Sequence, residues 1–576
     1  MLLVVGVYSY PALRTKAVLK SERLPVISAP DLALYLNLST IERPRPGTVV
    51  NPWYRVEVPE NGAGYLKFRL SPRLFGWLTR LLSGKMWWSL FLWNALWWAL
   101  AGIAFIWLAH RFLPFRDALL VLAGLFLFMY FNFGMAREEI VAWLHFPALR
   151  GFAEIDLPYI RSFSPQVVLP PLLFYLGMQM LALRKESTWR PWVIMTALQL
   201  IAFAAFPYAT LMMAGTTAIA ILGQAFLSRQ QVAWRAILLY GSACAIVDLT
   251  FLLHGSPIFG RSPGSPSVFH FQSGVLRMQM GKLWIFMGVL TACIAFSRTL
   301  APEIRWTLAG MGATNMLMLL GDAIVPGPPF FLTAHASELE HATFAILLTF
   351  AVSVVAVNLK LPPRRARIAS GAAACFFLVN GLLLAESGYR YFLPSNREQT
   401  DMVNWFERNP AEPGDLVIAQ HDACGWVPLL SRAQLLFCRN AQAMLSPGQN
   451  HDLQRTREAW YLYFMGKRSG WVDSVSRDPD NLHRLETYGL YGEVSAYVGP
   501  ELAKQVNVVR GDLIPKLERL ERHDPQDYAF LRQFHTIWVI DNKNAPIFQR
   551  TKLDEYLDIH SQESSGDLII YAATPR

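Results

Sequence analysis

Apolar runs of bilayer length recur along most of this chain, and they restrict its fold more than any other feature. A spanning helix needs roughly 17–25 predominantly apolar residues, because backbone groups inside hydrocarbon must bond within their own helix. About ten stretches qualify: 87–109, 118–134, 166–183, 191–208, 209–227, 233–253, 283–297, 305–321, 342–358 and 369–386. The run from Trp192 to Leu227 is too long for one crossing and contains Phe206-Pro207-Tyr208. Proline ends one helix and suits the first position of the next, so the run divides there. Only 16% of residues are charged and 53% are hydrophobic, against about 25% charged in a soluble domain. The reading is a polytopic α-helical membrane protein.

The opening run, Met1 to about Leu13, is too short to cross alone. It lacks the basic start of a signal peptide, and the expectation is a first helix whose start lies outside this chain, giving about 11 helices. The net charge of +10 does not point to nucleic acid, because the basic residues cluster between apolar runs, where they set topology. The short basic connections hold Arg111 and Arg116; Arg184, Lys185 and Arg190; Arg229 and Arg235; Arg298 and Arg305; and Lys360, Arg364, Arg365 and Arg367. They alternate along the chain, which assigns them to the cytoplasm. The outer side then receives residues 14–86, 135–165, 254–282, 322–341 and everything after about residue 393. Long polar loops on one side suit an outer-face enzyme better than a transporter, which needs access to its site from both sides.

In the first outer loop, "SPRLFGWLTRLLSG" opens with Ser71 at an N-cap position and Pro72 at the first helical position. Arg73 and Arg80 alternate there with large apolar residues, which reads as a helix lying in the membrane interface. From about Ser395 the apolar runs end. "DLVIAQ", "HTIWVIDN" and "DLIIYA" read as strands, "QTDMVNWFERN" and "DLIPKLERLERH" as helices. The expected division is a transmembrane domain, 1–393, carrying the long first outer loop, and a soluble extracytoplasmic α/β domain, 394–576. Cys244, Cys293 and Cys375 lie in apolar runs and read as packing residues, whereas Cys424 and Cys438 fall in the outer domain, where an oxidising compartment allows a disulfide. The chain carries no internal repeat, phosphate-binding glycine loop, zinc-ligand spacing or nucleophile elbow.

Ionisable groups beside the spans on the outer side are the candidates for chemistry. Asp31 stands in "PVISAPDLALYL", soon after the first apolar segment. Its structural alternative is a capping box, with Ser28 as cap and Asp31 bonding back to the Ser28 amide. The second outer loop offers Glu138, Glu139, Asp156 and Arg161, with a solvated helix end and an interfacial anchor as the competing readings. "TAHASELEHATF" holds His335, Glu338 and His341 at spacings of three, sharing a helix face. Two histidines and one glutamate in so short a stretch are a weak metal signal; solvated loop residues or substrate contacts fit them better. No cofactor is expected, and a divalent metal has no support in the sequence.

With "SAPDLALYL", "NPWYRVEV", "SPRLFGWLTRLL" and "RSFSPQ" in this order, followed by many spans and an outer domain, the chain resembles the GT-C superfamily of integral-membrane glycosyltransferases. The resemblance covers roughly residues 1–390 and rests more on topology than on any single motif. It implies a polyprenyl-phosphate-linked sugar as donor, a glycan, lipid or protein as acceptor, and the bilayer of a bacterial inner membrane and cell envelope as the setting. It implies that Asp31 is the general base of an inverting displacement, with Glu138 and Glu139 as further catalytic acids. The lipid phosphate needs a cation, for which Arg161 comes first and Arg277 or Lys282 next. Tyr35, Asp156, His335, Glu338 and His341 complete the expected substrate contacts. The chain departs from the better-defined members in lacking an adjacent Asp-Glu pair after the first helix. Two rivals stay open: a glycan ligase using the late-loop His335 and His341, and a transporter or non-catalytic envelope scaffold. Transport would draw on buried charges, of which Asp248 and Asp322 are the clearest.

Overall fold

The computed structural model describes residues 2–19, 24, 32–42, 44–59, 70–113, 166–185, 188–227, part of 234–245, 282–320, 332–360, 362–438, 451–477 and 500–576. In chain order the elements are α1 (Leu2–Leu19), α2 (Leu32–Ser39), β1 (Thr48–Val50), β2 (Glu57–Pro59), α3 (Leu70–Leu81), α4 (Met86–Phe112), α5 (Leu169–Ala182), α6 (Arg190–Ala205), α7 (Pro207–Leu222) and α8 (Lys282–Ala295). They continue with α9 (Pro302–Leu319), α10 (Leu332–Asn358), α11 (Pro363–Arg408), β3 (Leu416–Ala419), α12 (His421–Cys424), α13 (Val427–Leu430), β4 (Gln434–Leu435), α14 (His451–Phe464) and α15 (Ser469–Arg477). The last are α16 (Pro500–Glu521), α17 (Pro525–Arg532), β5 (Ile537–Asn542), α18 (Arg550–Tyr556), β6 (Leu557–Ser565) and β7 (Leu568–Pro575). The chain forms two compact units: Met1–Val18, Leu81–Ile258 and Ser273–Phe392; and Leu19–Arg80, Phe259–Gln272 and Leu393–Arg576.

The first unit is helical. Among the described residues, Met86–Phe112 and Tyr208–Leu227 are long and apolar enough to cross a membrane, and Leu169–Ala182, Arg190–Ala205, Ile285–Ala295 and Ala342–Asn358 are shorter apolar helices. The break expected at Phe206-Pro207 is present: Phe206 is extended, with φ −160° and ψ 95°, between α6 and α7. Proline pushes its predecessor out of the helical region and then serves as the first residue of the next helix. The α7 and α9 backbones approach so closely that a Cβ on Gly310 would lie 2.6 Å from the Thr216 carbonyl oxygen, the small-residue packing that apolar helices use. Neutral polar groups stitch the interior. Tyr175 Oη lies 2.6 Å from Thr217 Oγ1, and Thr217 donates to Gln179 Oε1 at 3.0 Å. Gln199 Oε1 accepts from Tyr240 at 2.5 Å and from Cys244 at 3.1 Å. α1 runs on past the apolar opening to Leu19, and Arg14 and Tyr10 meet Glu386 on α11 at 2.8 and 2.7 Å.

α11 departs from the expected pattern. The span at 369–386 and the polar helix at 399–409 are one helix of 46 residues, with Pro394 inside it. A proline removes one backbone hydrogen bond and strains the turn before it, but neighbouring turns on both sides hold the helix here. The change to polar residues at Ser395 alters the surroundings of the helix and leaves its backbone preference intact. Its last turns bury Met402, Val403, Trp405 and Phe406 in the second unit.

That unit is built on a five-stranded mixed sheet of order β4-β3-β5-β7-β6, with β3 parallel to β4 and β5, and β7 antiparallel to β5 and β6. All four β3 residues are buried, as an apolar run covered on both faces requires. β6, at the edge, is polar and mostly exposed, which discourages pairing with a further strand. The core gathers Trp460, Tyr461 and Phe464 from α14, Leu513, Leu517 and Leu520 from α16, and Leu553 and Tyr556 from α18. Leu513, Leu517 and Leu520 follow helical spacing on one face.

Candidate functional site

Within the second unit, α2 is the segment that immediately follows Asp31 in sequence. Its residues, "LALYLNLS", are apolar apart from Asn37 and Ser39, and Leu32, Ala33, Leu36, Asn37 and Leu38 are all buried. A buried amide is stable only with partners. Asn37 Nδ2 donates to the Ala33 carbonyl at 2.8 Å and to the Gly425 carbonyl at 2.7 Å. Hydroxyls satisfy the last carbonyls of the helix: Ser39 donates to Leu36 at 2.6 Å and Thr40 to Asn37 at 2.9 Å. Tyr35 lies on this helix, half-buried. The helix beside Asp31 is therefore seated by packing and by one amide that reaches the α12–α13 segment.

The "NPWYRVEV" stretch forms the turn and second strand of a hairpin, with Val49 opposite Val58. Asn51 organises the turn, its Oδ1 accepting from the Trp53 and Tyr54 amides at 2.9 and 3.1 Å, a side-chain mimic of a backbone turn. Trp53 and Tyr54 are fully buried. The Leu435 amide donates to the Trp53 carbonyl at 2.9 Å. Arg55, in a left-handed conformation with φ 52°, donates from Nη2 to the Pro428 and Ser431 carbonyls, both at 3.1 Å.

Arg457 lies against the Tyr54 ring, 4.7 Å from its centroid, and 5.3 Å from that of Phe530. Its guanidinium donates to the Leu435 carbonyl at 2.5 Å and to Gln434 Oε1 at 2.7 Å. Burial draws the Arg457 pKa down to about 10, partly opposed by Tyr54, so it stays cationic at neutral pH. The same burial raises the Tyr54 phenol, against the pull of Arg457. A buried cation held by carbonyls and ring faces thus anchors this loop.

α3 turns one face inward: Ser71, Pro72, Phe75, Gly76 and Thr79 are buried. A Cβ on Gly76 would lie 2.5 Å from the Ser39 carbonyl oxygen, so α3 rests directly on the end of α2. The opposite face exposes Leu74, Trp77 and Leu81 with Arg73 and Arg80. Its helix starts at Leu70, one residue before the cap position expected at Ser71. A helix with Leu74, Trp77 and Leu81 outward, in addition to Phe75 inward, is apolar on both faces, unlike a soluble amphipathic helix.

Of the residues singled out by sequence, Asp31, Glu138, Glu139, Asp156, Arg161 and Arg277 lie outside the described residues. Lys282 begins α8, and His335, Glu338 and His341 lie on the first turns of α10; only their backbone positions are described. Cys424 and Cys438 are buried side by side, their sulfurs 2.6 Å apart. Among the described residues, no group of three or more His, Cys, Asp or Glu side chains is arranged to hold a metal. Sequence reasoning passed over Glu340, two residues before the apolar stretch at Ala342–Asn358. Desolvation pushes its carboxyl up to about 7, and the available signal was an acid adjoining an apolar run. It also passed over Asn37 and Arg457, whose roles depend on partners 388 and 22 residues away.

No protein-family model matches the sequence, and neither does any curated protein. Among solved structures, the chain is similar to ArnT from Cupriavidus metallidurans in the apo state, at 13% identity over 99% of this chain and 97% of that one, with a TM-score of 0.43. It is similar to the arabinofuranosyltransferase AftD from Mycobacteria, at 13% identity over 100% of this chain and 40% of that one, with a TM-score of 0.43. The archaeal oligosaccharyltransferase AglB from Archaeoglobus fulgidus, in complex with an inhibitory peptide and a dolichol-phosphate, is similar at 12% identity over 85% and 71%, with a TM-score of 0.34.

Proposed function

We propose that this protein is a GT-C-type integral-membrane glycosyltransferase. It moves a sugar from a polyprenyl-phosphate-linked donor to a glycan, lipid or protein acceptor at the outer face of the membrane. The observation that carries the reading is the pairing of α2 and α3. The helix that directly follows Asp31 is buried and rigidly seated, and it supports a second helix whose outward face bears Leu74, Trp77 and Leu81 between two arginines. Such a face suits the boundary between headgroups and acyl chains, which is where the phosphate and sugar of a lipid-linked donor sit.

Asp31 then acts as general base. It takes the proton of the acceptor hydroxyl while that oxygen attacks the anomeric carbon, and the lipid phosphate leaves from the opposite side. A carboxylate ionised at neutral pH suits this task, and Arg161 neutralises the leaving phosphate. The Tyr175–Thr217–Gln179 and Tyr240–Gln199 contacts of the helical unit join neutral groups, as interhelical packing does.

The test is transfer of radiolabelled sugar from a panel of polyprenyl-phosphate hexoses and pentoses in proteoliposomes. Asp31→Asn lowers the rate by about 10²–10⁴-fold with donor binding retained, the range for loss of a general base. An Asp31→Asn protein that folds, binds donor and transfers at the unaltered rate rules the assignment out. Loss of activity in His341→Ala with Asp31→Asn unaffected favours the glycan ligase instead.

A further inference from the structure

Four hydrogen bonds that seat the first outer loop in the second unit end on one short segment. Asn37 reaches the Gly425 carbonyl, Arg55 reaches those of Pro428 and Ser431, and the Leu435 amide reaches Trp53. All four lie between Cys424 and Cys438. Cys424 closes α12, its amide bonded to the Gln420 carbonyl at 2.9 Å, and Cys438 follows β4, where the Leu436 amide bonds to the Val417 carbonyl at 2.8 Å. The two side chains are 2% and 0% exposed, with sulfurs 2.6 Å apart. Both are thiols in the structure, held closer than unbonded sulfurs ordinarily pack, so a small shift of the two side chains reaches the covalent length of about 2.05 Å. The segment thus has its two ends side by side and its seating groups in between.

We infer that Cys424 and Cys438 form a disulfide that closes the 424–438 segment into the receptor for the first outer loop. Oxidation occurs before burial, by exchange with the disulfide of an oxidised dithiol carrier. One thiolate of the pair attacks a carrier sulfur, forming a mixed disulfide and expelling one carrier thiolate. The second thiolate attacks the mixed disulfide, forming the Cys424–Cys438 bond and expelling the other. Two electrons pass to the carrier, and the two thiol protons end on its sulfurs. This chemistry belongs to an oxidising compartment, so the inference rests on the outer placement of residues 394–576 and not on sugar transfer.

The experiment uses the full chain in native membranes, denatured in N-ethylmaleimide and mapped by mass spectrometry with and without prior reduction. The expected result is alkylation of Cys244, Cys293 and Cys375 alone before reduction, with the Cys424 and Cys438 peptides linked and lighter by two hydrogens. All five cysteines are alkylated after reduction. Alkylation of both Cys424 and Cys438 without reduction overturns the bond. Limited proteolysis of the 40–59 segment tests the receptor role. Cleavage rises about tenfold in a Cys424→Ala/Cys438→Ala protein, or in wild-type protein reduced by a phosphine, through more frequent local opening. A linked pair whose loss leaves cleavage unaltered overturns the receptor role.

Discussion

Replacing Gly76 by alanine tests the contact between α3 and α2 at a single methyl group. The added Cβ would stand 2.5 Å from the Ser39 carbonyl oxygen and 3.4 Å from its carbon. Ordinary contact begins near 3.4 Å, so the helices must separate by about 0.9 Å or distort, and overpacking of this kind costs about 1–3 kcal/mol. The obstacle is backbone, so no rotamer relieves it. Alanine in a helix interior returns about 1 kcal/mol relative to glycine, which leaves a net loss of up to about 2 kcal/mol. For a unit of this size that lowers Tm by up to about 8 °C. The control is Gly511, exposed on α16 of the same unit, where a Cβ would meet nothing within 4 Å, and Gly511→Ala gains up to about 1 kcal/mol. Tryptophan fluorescence during heating in detergent reads both, and the two variants shift in opposite directions. A Gly76→Ala protein as stable as Gly511→Ala refutes the close approach and with it the support that α3 draws from α2.

Asn37→Ala leaves the buried Gly425 carbonyl without its donor and costs about 1–3 kcal/mol, read as a lower midpoint in chemical denaturation. Changing Leu74, Trp77 and Leu81 together to serine leaves stability in detergent within about 1.5 kcal/mol, up to about 0.5 for each exposed site, yet removes most of the thermal gain that wild-type protein shows on reconstitution into lipid nanodiscs. An unchanged gain argues against a membrane-facing α3. For Glu340, the folded carboxyl titrates near 7 against an ordinary value of 4.5. The folded state then binds the extra proton, so its stabilising contribution is complete below about pH 4.5 and is lost as pH rises through 7. Glu340→Gln flattens this part of the stability profile between about pH 5 and 8 and raises stability at the upper end, which thermal melts at each pH detect.

Features set by neighbours in sequence were legible in advance. Pro207 dictates the break between α6 and α7 because its effect on Phe206 is steric and local. Leu416–Ala419, Ile537–Asn542 and Leu568–Pro575 show as strands because short apolar runs bounded by polar residues admit few alternatives. What escaped depends on distant partners. The polar shift at Ser395 suggested two separate helices, but α11 continues to Arg408, since composition reports solvent and not helix ends. Trp53 and Tyr54 gave no hint that they pack with Arg457 and the strand at Leu435, which lie in the last third of the chain. For the candidate base, the sequence placed an acid before α2, and the structure adds how that helix is held.

The seat of the segment from α2 to β2 also dictates an order of assembly. Asn37 and its acceptor Gly425 are 388 residues apart, and at about 5–20 residues per second synthesis takes roughly 20–80 s to cover that distance. Throughout that interval the segment has left the ribosome while its receptor does not yet exist, and Trp53 and Tyr54 have no core to enter. Maturation of this protein therefore has a waiting period written into its topology, in which a holding chaperone or the membrane surface itself must shelter two large aromatic side chains until the last third of the chain arrives.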